Sequence, residues 1–429
     1  MLKLKVAVTR MFLAGALSLA LPAASTAAPR PALGATGAAK NPTALYDPGP
    51  GRTLLLIGQT YQQEFAGYVA GFGKAPAGSS HYGELYSGRI NQGDDGKGMT
   101  HLGAVRQAYP CAYALVAISW KDNPDLSDHP IDACGRDFPG RRIYQVSRDI
   151  SGGRYDGAID SLAAIMRDNP SLRFLVRIEY EVSRYLFSWK DASRCPVAGV
   201  GVDFNDKTLI DDGAYRDAYN HIAARIRGKD GIGNVAFVFH PVRGPEDAAA
   251  LYPGPENVDY IALSMFNNDV CIGAPGCRDS LDANVAKVFA WAKATAGKPL
   301  MIAESAPQPP ATASDAGFVD YLDRLLAATE KFDVRVLTYI NSDWNAHGWD
   351  ARYWGDTRLE TRPAVKAYWQ KRVVEGARYV QYGCQVSAVP AQPQPSLSGS
   401  VVPTGARQAG GFRIEFQGRG YGLEGARKD

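Results

Sequence analysis

Eight short apolar runs alternate with stretches of helical periodicity, and this alternation constrains the fold more than any other feature of the chain. Most runs are continuous and rich in β-branched residues, which is typical of strands buried on both faces. Alternation with helices predicts a parallel sheet covered by helices. The predicted strands are Thr53–Gly58, a weaker one near His81–Tyr86, Tyr113–Ser119, Arg173–Glu179, Val235–His240, Val258–Ser264, Pro299–Glu304 and Val334–Ile340.

The stretches between these runs carry apolar residues at helical spacing. Gly228 and Gly297 stand where a helix must give way to the next strand. Eight such units predict an α/β fold, the (β/α)8 TIM barrel, whose active site lies at the carboxyl ends of the strands. The three clearest stripes are Ile159, Leu162, Ile165 and Met166; Tyr215, Tyr219, Ile222 and Ile226; and Leu281, Val285, Val288, Phe289 and Ala292.

The chain of 429 residues accommodates one such barrel together with terminal segments. We assign the catalytic domain to 52–385 and a lead-in rich in Ala, Pro and Gly to 29–51. The segment 386–429 is dense in Pro, Gly and Ser, a composition that buries too little apolar area to fold alone, so we expect a flexible tail. A few apolar residues near its end leave room for one docked strand.

The first 28 residues have the organisation of a secretory signal peptide. Lys3, Lys5 and Arg10 precede an apolar stretch over 11–21, and small residues follow over 23–28. The apolar stretch is shorter than the roughly 20 residues that a membrane helix needs. We therefore expect a secreted or periplasmic protein without a membrane span, cleaved near Ala24–Ala28.

Six cysteines in an exported protein indicate disulfides. Of the 15 pairings that six cysteines allow, we favour Cys271 with Cys277 across a short loop and Cys111 with Cys134 around a polar segment, which leaves Cys195 with Cys384; the others stay open. No CxxC pair or histidine cluster indicates a metal site, and we expect no cofactor. A net charge of +3, with 47 Lys and Arg against 44 Asp and Glu, is too balanced for a nucleic-acid binder, and we expect a monomer.

Two predicted strands end in carboxylates. The fourth ends in RIEYEVS, with Arg177, Glu179, Tyr180 and Glu181, and the seventh ends in MIAES, with Glu304. A carboxylate at the end of a buried strand is costly without a partner or a function. Two carboxylates across one barrel mouth are what glycosidic cleavage requires. Because alternation places Glu179 on the same face as Arg177, we expect these two to pair, and Glu179 remains the rival of Glu181.

The order of several motifs resembles clan A glycoside hydrolases, most closely the mannanase-like family 26. They are Arg-x-x-x-Glu closing strand four, Phe-His closing strand five, YPGPENVDYIALS leading into strand six, and IAES closing strand seven. The resemblance covers roughly 52–375. It implies a general acid/base on strand four, which maps onto Glu181, and a nucleophile on strand seven, which maps onto Glu304.

Two positions depart from the pattern of that group. Tyr180 stands where family 26 has His and the wider clan has Asn, and Phe266 stands near the place of a Tyr that supports the nucleophile. The resemblance implies that both positions contact the sugar at the cleavage subsite. The resemblance therefore supports the reaction class more strongly than mannan as the substrate.

Further residues near strand ends are candidates for binding a sugar, with burial in the core as the alternative for each. Exposed aromatic faces stack on pyranose rings, and neighbouring polar groups bind hydroxyls. Trp344 is the preferred platform, ahead of Trp349, and His240 is expected to orient Glu181 or a sugar hydroxyl. The full set of substrate-binding candidates is Arg177, Tyr180, His240, Trp344, Gln59, Tyr339, Phe266, Trp120 and Trp349.

We expect a secreted retaining hydrolase that cleaves a β-linked polysaccharide by double displacement, with endo action favoured. The charge of Glu304 keeps Glu181 protonated as the acid, and loss of that charge in the glycosyl-enzyme lets Glu181 act as base. The alternative function is a catalytically inert carbohydrate-binding barrel. A metal-dependent barrel hydrolase is disfavoured because six His form no His-x-His motif.

Overall fold

The computed structural model describes residues 46–85, 88–90, 101–119, 146–182, 212–229, 231–241, 245–266, 285–349, 351 and 354–383. Several predictions lie outside these residues: the signal peptide, most of the lead-in, the tail, Trp120 and Leu281. Of the cysteines, only Cys111 falls inside them, and it is disulfide-bonded. Its partner lies outside the described residues, so the pairing stays a prediction.

Eight parallel strands form the closed barrel that the sequence predicts. Each strand pairs with the next along the chain, and the last pairs with the first, which closes the cylinder. The (β/α)8 TIM barrel is therefore confirmed. The strands are β1 Thr53–Gly58, β2 Gly78–Glu84, β3 Tyr113–Ser119, β4 Arg173–Ile178, β5 Val235–Phe239, β6 Tyr260–Phe266, β7 Leu300–Ala306 and β8 Val336–Ile340.

Helices cover the outside of the barrel. They include α1 Gln62–Phe72, α2 Leu102–Ala108, α3 Asp156–Arg167, α4 Asp212–Arg227, α5 Pro245–Leu251, α6 Asp315–Lys331 and α7 Pro363–Trp369, with π-helical turns at Ala292–Ala296 and Gln370–Val374. Two short strands are added to the barrel: Arg89–Ile90 pairs with β2, and Tyr379–Val380 pairs with β1. Among the residues that the structure describes, no helix is long and apolar enough to cross a membrane.

The predicted apolar stripes form the layer between helices and sheet. Ile159, Leu162 and Met166 of α3 are buried in it, as is the whole predicted stripe of α4. Ile165 is only partly buried, although it packs against the same layer. Burial of these stripes against the sheet is the hydrophobic contribution that holds each helix in place.

The barrel interior is filled by residues that alternate along each strand. Leu54, Leu115, Leu175 and Met301 are among the side chains of this inner cluster. Gly58 at the end of β1 lies inside as well, where an added Cβ would meet the side chains of neighbouring strands. Because alternation continues past the apolar layers, the next inward residues of the strands stand at the carboxyl end of the barrel.

Candidate active site at the carboxyl end of the barrel

A β-bulge turns Glu304 into the barrel. In the pairing of β6 with β7, Leu263 lies opposite Ile302 and Ser264 lies opposite Glu304, so Ala303 is the extra residue. Met301 and Ala303 already face the interior, and strict alternation would have turned Glu304 toward the helices. The bulge places Glu304 inside the mouth instead, with a relative exposure of 6%.

Two donors converge on one oxygen of Glu304. Nη1 of Arg177 lies 2.5 Å from Oε1, and the Tyr82 hydroxyl donates to the same oxygen over 3.1 Å. The guanidinium is fully buried, so this ion pair is screened little by solvent. Although burial by itself lowers the pKa of Arg177, the charge of Glu304 raises it overall. Arg177 therefore stays charged beside the carboxylate.

Aromatic rings enclose the charge of Arg177. Its guanidinium carbon lies 5.2 Å from the ring centre of Tyr180 and 5.8 Å from that of Tyr82, and the two rings meet edge to face. Such contacts favour a cation that is removed from water. Tyr180 and Arg177 thus both lie at the mouth, and their contact with substrate stays a prediction.

The end of β4 departs from strand geometry at both of its glutamates. Glu179 and Glu181 have φ of 49° and 52°, in the left-handed region that few non-glycine residues adopt. Because β4 ends at Ile178, alternation does not extend to Glu179. The ion pair of Arg177 is made with Glu304, contrary to the expected pairing with Glu179. Burial raises the pKa of Tyr215 on α4, and Glu179 adds to this effect from close by.

Glu181 is held by a residue of β6. The Ser264 hydroxyl donates to Oε1 of Glu181 over 2.6 Å and lies 3.2 Å from Nε2 of His240. His240 is fully buried at the end of β5, and its Nδ1 lies 3.4 Å from Nη1 of Arg177. The side chains around the two glutamates therefore form one connected set.

The sequence did not identify Tyr82 and Ser264 as site residues. Tyr82 lies on the strand with the weakest sequence signal, and Ser264 ends an apolar run. Burial raises the pKa of Tyr82 well above its ordinary value, and the charge of Glu304 raises it further. The phenol therefore keeps its proton and remains a donor. The inward register of the strands is the signal that would have found both residues.

Aromatic residues form a cluster at the carboxyl ends of β6, β7 and β8. Phe266 contacts Trp354 edge to face, and Trp344 packs against Trp349 and Trp354 with ring centres 4.8 Å apart in each case. Trp344 is only 3% exposed, so the expectation that it offers an open stacking face is wrong: neighbouring indoles cover it. Trp349 and Trp354 are partly buried and present more surface.

The remaining candidates separate. Gln59 lies at the end of β1, half-buried, with its backbone N–H donating to the hydroxyl of Ser80. Tyr339 does not line the mouth: it is fully buried on the outer face of β8, packs on Trp369 and donates to the carbonyl of Thr357. Trp120 lies outside the described residues.

A cavity of about 410 Å³ lies beside the mouth, between the start of α1 and the segment after β8. Tyr61, Glu64, Asp343, His347 and Arg358 are among its lining residues. It contains neither Glu181 nor Glu304. Within the part of the chain that the structure describes, no group of three or more His, Cys, Asp or Glu side chains is arranged to hold a metal ion.

Two curated relatives share this chain's sequence at a low level. A beta-1,3-xylanase from Vibrio sp is 22% identical over 336 residues, which is 71% of this chain and 61% of that protein. A beta-1,3-xylanase from Alcaligenes sp is 22% identical over 354 residues, 75% of this chain and 63% of that protein. The chain thus spans less than two thirds of the length of these relatives. No family model matches the chain.

Solved structures support the fold. A family 26 β-mannanase from Bacteroides ovatus aligns with a TM-score of 0.52 at 14% identity, covering 78% of this chain and 92% of that one. The protein GH26C from Muricauda sp. aligns with a TM-score of 0.52 at 11% identity, covering 77% and 87%. The chain resembles family 26 of clan A. The resemblance expected from the motifs is confirmed, and at these identities the structural likeness concerns the fold.

Proposed function

We propose that this chain is a retaining glycoside hydrolase that cleaves a β-linked polysaccharide, with Glu304 as nucleophile and Glu181 as acid/base. The observation that carries the proposal is the presence of both carboxylates at the carboxyl end of one barrel, each held by a short hydrogen bond from an inward-facing side chain. Glycosidic cleavage needs two carboxyl groups in such an arrangement. The named activities of the two xylanase relatives agree with this class.

The contacts of Glu304 suit a nucleophile. Arg177 and Tyr82 both donate to Oε1, whereas Oε2 accepts no hydrogen bond from the described residues. Oε1 is thereby fixed, and Oε2 is the oxygen that attacks the anomeric carbon. The buried guanidinium of Arg177 also places a positive charge beside the reacting carboxyl group, which favours its role as a nucleophile.

The proposed reaction has two steps. Oε2 of Glu304 forms an ester with the anomeric carbon while the glycosidic C–O bond breaks and Glu181 gives its proton to the leaving oxygen. Water then attacks the same carbon, Glu181 takes a proton from it, and the ester bond breaks to restore the carboxylate of Glu304. Two inversions give net retention.

The first experiment follows reducing ends released from a panel of polysaccharides that includes β-1,3-xylan and β-1,4-mannan. Proton NMR of the first products identifies the anomer, and we expect the β form. Initial release of the α anomer would overturn double displacement. Binding without turnover would favour the inert carbohydrate-binding barrel.

Variants test the two roles separately. Glu304→Gly with added azide should give an α-glycosyl azide, and Glu181→Ala with azide should give a β-glycosyl azide, since azide replaces the missing group on opposite faces of the sugar. Glu179→Gln is the matched control, because Glu179 lies two residues from Glu181 and is buried beside Tyr215. Loss of turnover in Glu179→Gln with full activity in Glu181→Gln would reverse the assignment.

The finer parts of the proposal concern substrate, action and location. The partly buried Trp349 and Trp354 are proposed as sugar-stacking surfaces, with Gln59 and Tyr180 as polar contacts. Endo action would appear as a ladder of oligosaccharides rather than one short product. Export after removal of residues 1–28 is tested by N-terminal sequencing of protein recovered outside the cytoplasm.

A further inference from the structure

A chain of side-chain contacts runs between the two carboxylates. Arg177 Nη1 contacts Oε1 of Glu304 and lies 3.4 Å from Nδ1 of His240. Nε2 of His240 lies 3.2 Å from the Ser264 oxygen, and that hydroxyl donates to Oε1 of Glu181 over 2.6 Å. One end of the chain is therefore the proposed nucleophile and the other end is the proposed acid/base.

Which groups can donate and which can accept sets the direction of the hydrogen bonds along this chain of contacts. A guanidinium has only N–H donors, so Nδ1 of His240 must accept. A neutral imidazole that accepts at Nδ1 carries its proton on Nε2, which then donates to the oxygen of Ser264. The hydroxyl proton of Ser264 is left for Glu181. Along this chain of contacts, each group therefore donates a hydrogen bond to the next one, from Arg177 toward Glu181.

A doubly protonated ring of His240 is the remaining alternative, and charge disfavours it. A doubly protonated His240 would set an N–H against an N–H of Arg177 across 3.4 Å, with two positive groups together in a fully buried place. The neutral ring with its proton on Nε2 avoids this repulsion. Arg177, which is fixed by Glu304, thus selects the tautomer of His240.

We propose that His240 and Ser264 are positioning residues that hold the carboxyl of Glu181 in the orientation for proton transfer to the leaving group. This inference rests on the proposed function, because it concerns the acid step of that reaction. Ser264 fixes Oε1 of Glu181, and His240 fixes the rotation of the Ser264 hydroxyl. Misplacing the acid should slow only those substrates whose leaving group needs a proton.

The kinetic test compares two substrates in Ser264→Ala. For an oligosaccharide, kcat/KM should fall about 10- to 100-fold, because a misplaced general acid loses part of its contribution to the rate. For a 2,4-dinitrophenyl glycoside, whose leaving group departs without protonation, kcat/KM should change less than about threefold. Ser264→Thr, which keeps a hydroxyl, should recover most of the oligosaccharide activity.

The matched control is Ser79→Ala. Ser79 is a buried serine whose hydroxyl lies 2.8 Å from a histidine nitrogen, that of His81, on the face of β2 turned away from the barrel interior. This variant should leave the ratio of the two kcat/KM values unchanged. Equal losses on both substrates in Ser264→Ala, or no loss on either, would overturn the positioning role.

Nitrogen-15 NMR of histidine-labelled protein tests the direction without any turnover. His240, assigned by its loss in His240→Gln, should show a protonated Nε2 and an unprotonated Nδ1. A proton on Nδ1 would overturn the proposed direction of the hydrogen bonds through His240. Absence of hydrolysis by the wild-type protein would instead defeat the proposed function. The NMR result would still report the direction of the hydrogen bonds between Arg177 and Glu181.

Discussion

The hydroxyl of Tyr82 lies 3.1 Å from Oε1 of Glu304, although the two residues are 222 positions apart in the chain. Tyr82 belongs to β2 and Glu304 to β7, and two strands of the barrel separate them. The phenol therefore reaches across the mouth to the same oxygen that Arg177 contacts. In the proposed mechanism, the two donors fix Oε1 of Glu304 and leave Oε2 for the reaction.

Tyr82→Phe should lower kcat about 10- to 100-fold with little change in KM, because the variant loses one hydrogen bond to a charged group but no packing volume. Burial, and then the charge of Glu304, raises the pKa of Tyr82 well above 10. Because its pKa is raised, the Tyr82 hydroxyl keeps its proton at every pH below the ordinary pKa of tyrosine. It loses that proton only when the pH rises through the higher pKa that it has in the folded protein. The ratio of wild-type to variant kcat should thus stay flat between about pH 5 and pH 9.

The control for this change is Tyr252→Phe. The hydroxyl of Tyr252 is buried without a hydrogen-bond partner among the described residues, so its removal tests the loss of a buried phenol oxygen alone. Steady-state kinetics of both variants across the pH range provide the measurement. A Tyr82→Phe enzyme with wild-type kcat would show that the contact does not assist catalysis.

The fold could be predicted because strands buried on both faces leave an unmistakable apolar signal. β1 and β3 begin and end at the predicted residues, and the α4 stripe is buried as expected. The ends of β6 were less predictable, since Val258 is buried without belonging to the strand. Burial and strand pairing are separate properties, and the sequence reports the first more directly.

The site was only partly predictable because backbone irregularities decide where its side chains point. The bulge at Ala303 turns Glu304 inward, and the left-handed conformation of Glu179 ends the alternation on β4. Neither carries a glycine or proline that would announce it. Tyr82 contacts Glu304 only once the barrel has closed, a contact that no local pattern encodes.

Glu64 joins α1 to the segment that follows β8. Its carboxylate accepts the backbone N–H of Tyr61, the hydroxyl of Ser342 and the backbone N–H of Asp343, and His347 Nε2 lies 3.1 Å away. Glu64→Gln has one acceptor oxygen in place of two and should lose about 3 kcal/mol of unfolding free energy.

Urea unfolding of Glu64→Gln beside Gln63→Ala provides the comparison, since Gln63 is exposed on the same turn of α1. The control should stay within about 0.5 kcal/mol of the wild type. Equal stabilities of the two variants would mean that solvent or rearranged side chains replace the contacts of Glu64. In that case the carboxylate would not anchor the segment after β8.

Gly58 marks a place where the barrel has no room for a side chain. A Cβ there would lie 2.7 Å from the Cβ of Ser80 and 2.8 Å from a methyl of Thr338. Gly58→Ala should therefore destabilise the barrel by about 1–3 kcal/mol through overpacking. Gly58→Ala in a Ser80→Gly background should regain part of that loss in thermal unfolding, whereas an additive double variant would locate the strain elsewhere.

Glu360 and Asp160 should respond to pH with opposite signs. Burial raises the pKa of Glu360, so its ionisation opposes folding. The protonated form of Glu360 contributes its full stability at pH values below the pKa of this group in the unfolded chain. That contribution is lost as the pH rises through its pKa in the folded protein. Glu360→Gln cannot ionise. Its stability relative to the wild type should therefore increase from about pH 4 to pH 8 and favour the variant at neutral pH.

Asp160 provides the contrast, because hydrogen bonds from Arg225, and then from Lys229, lower its pKa to about 2. A carboxylate whose pKa is lowered by folding stabilises the protein at pH values above its pKa in the unfolded chain. That stability is lost only as the pH falls through its pKa in the folded protein. Asp160→Asn should thus be less stable than the wild type by a nearly constant amount from about pH 4 to pH 8. Urea unfolding across this range measures both variants. A Glu360→Gln profile parallel to that of Asp160→Asn would contradict the burial of Glu360 as the cause.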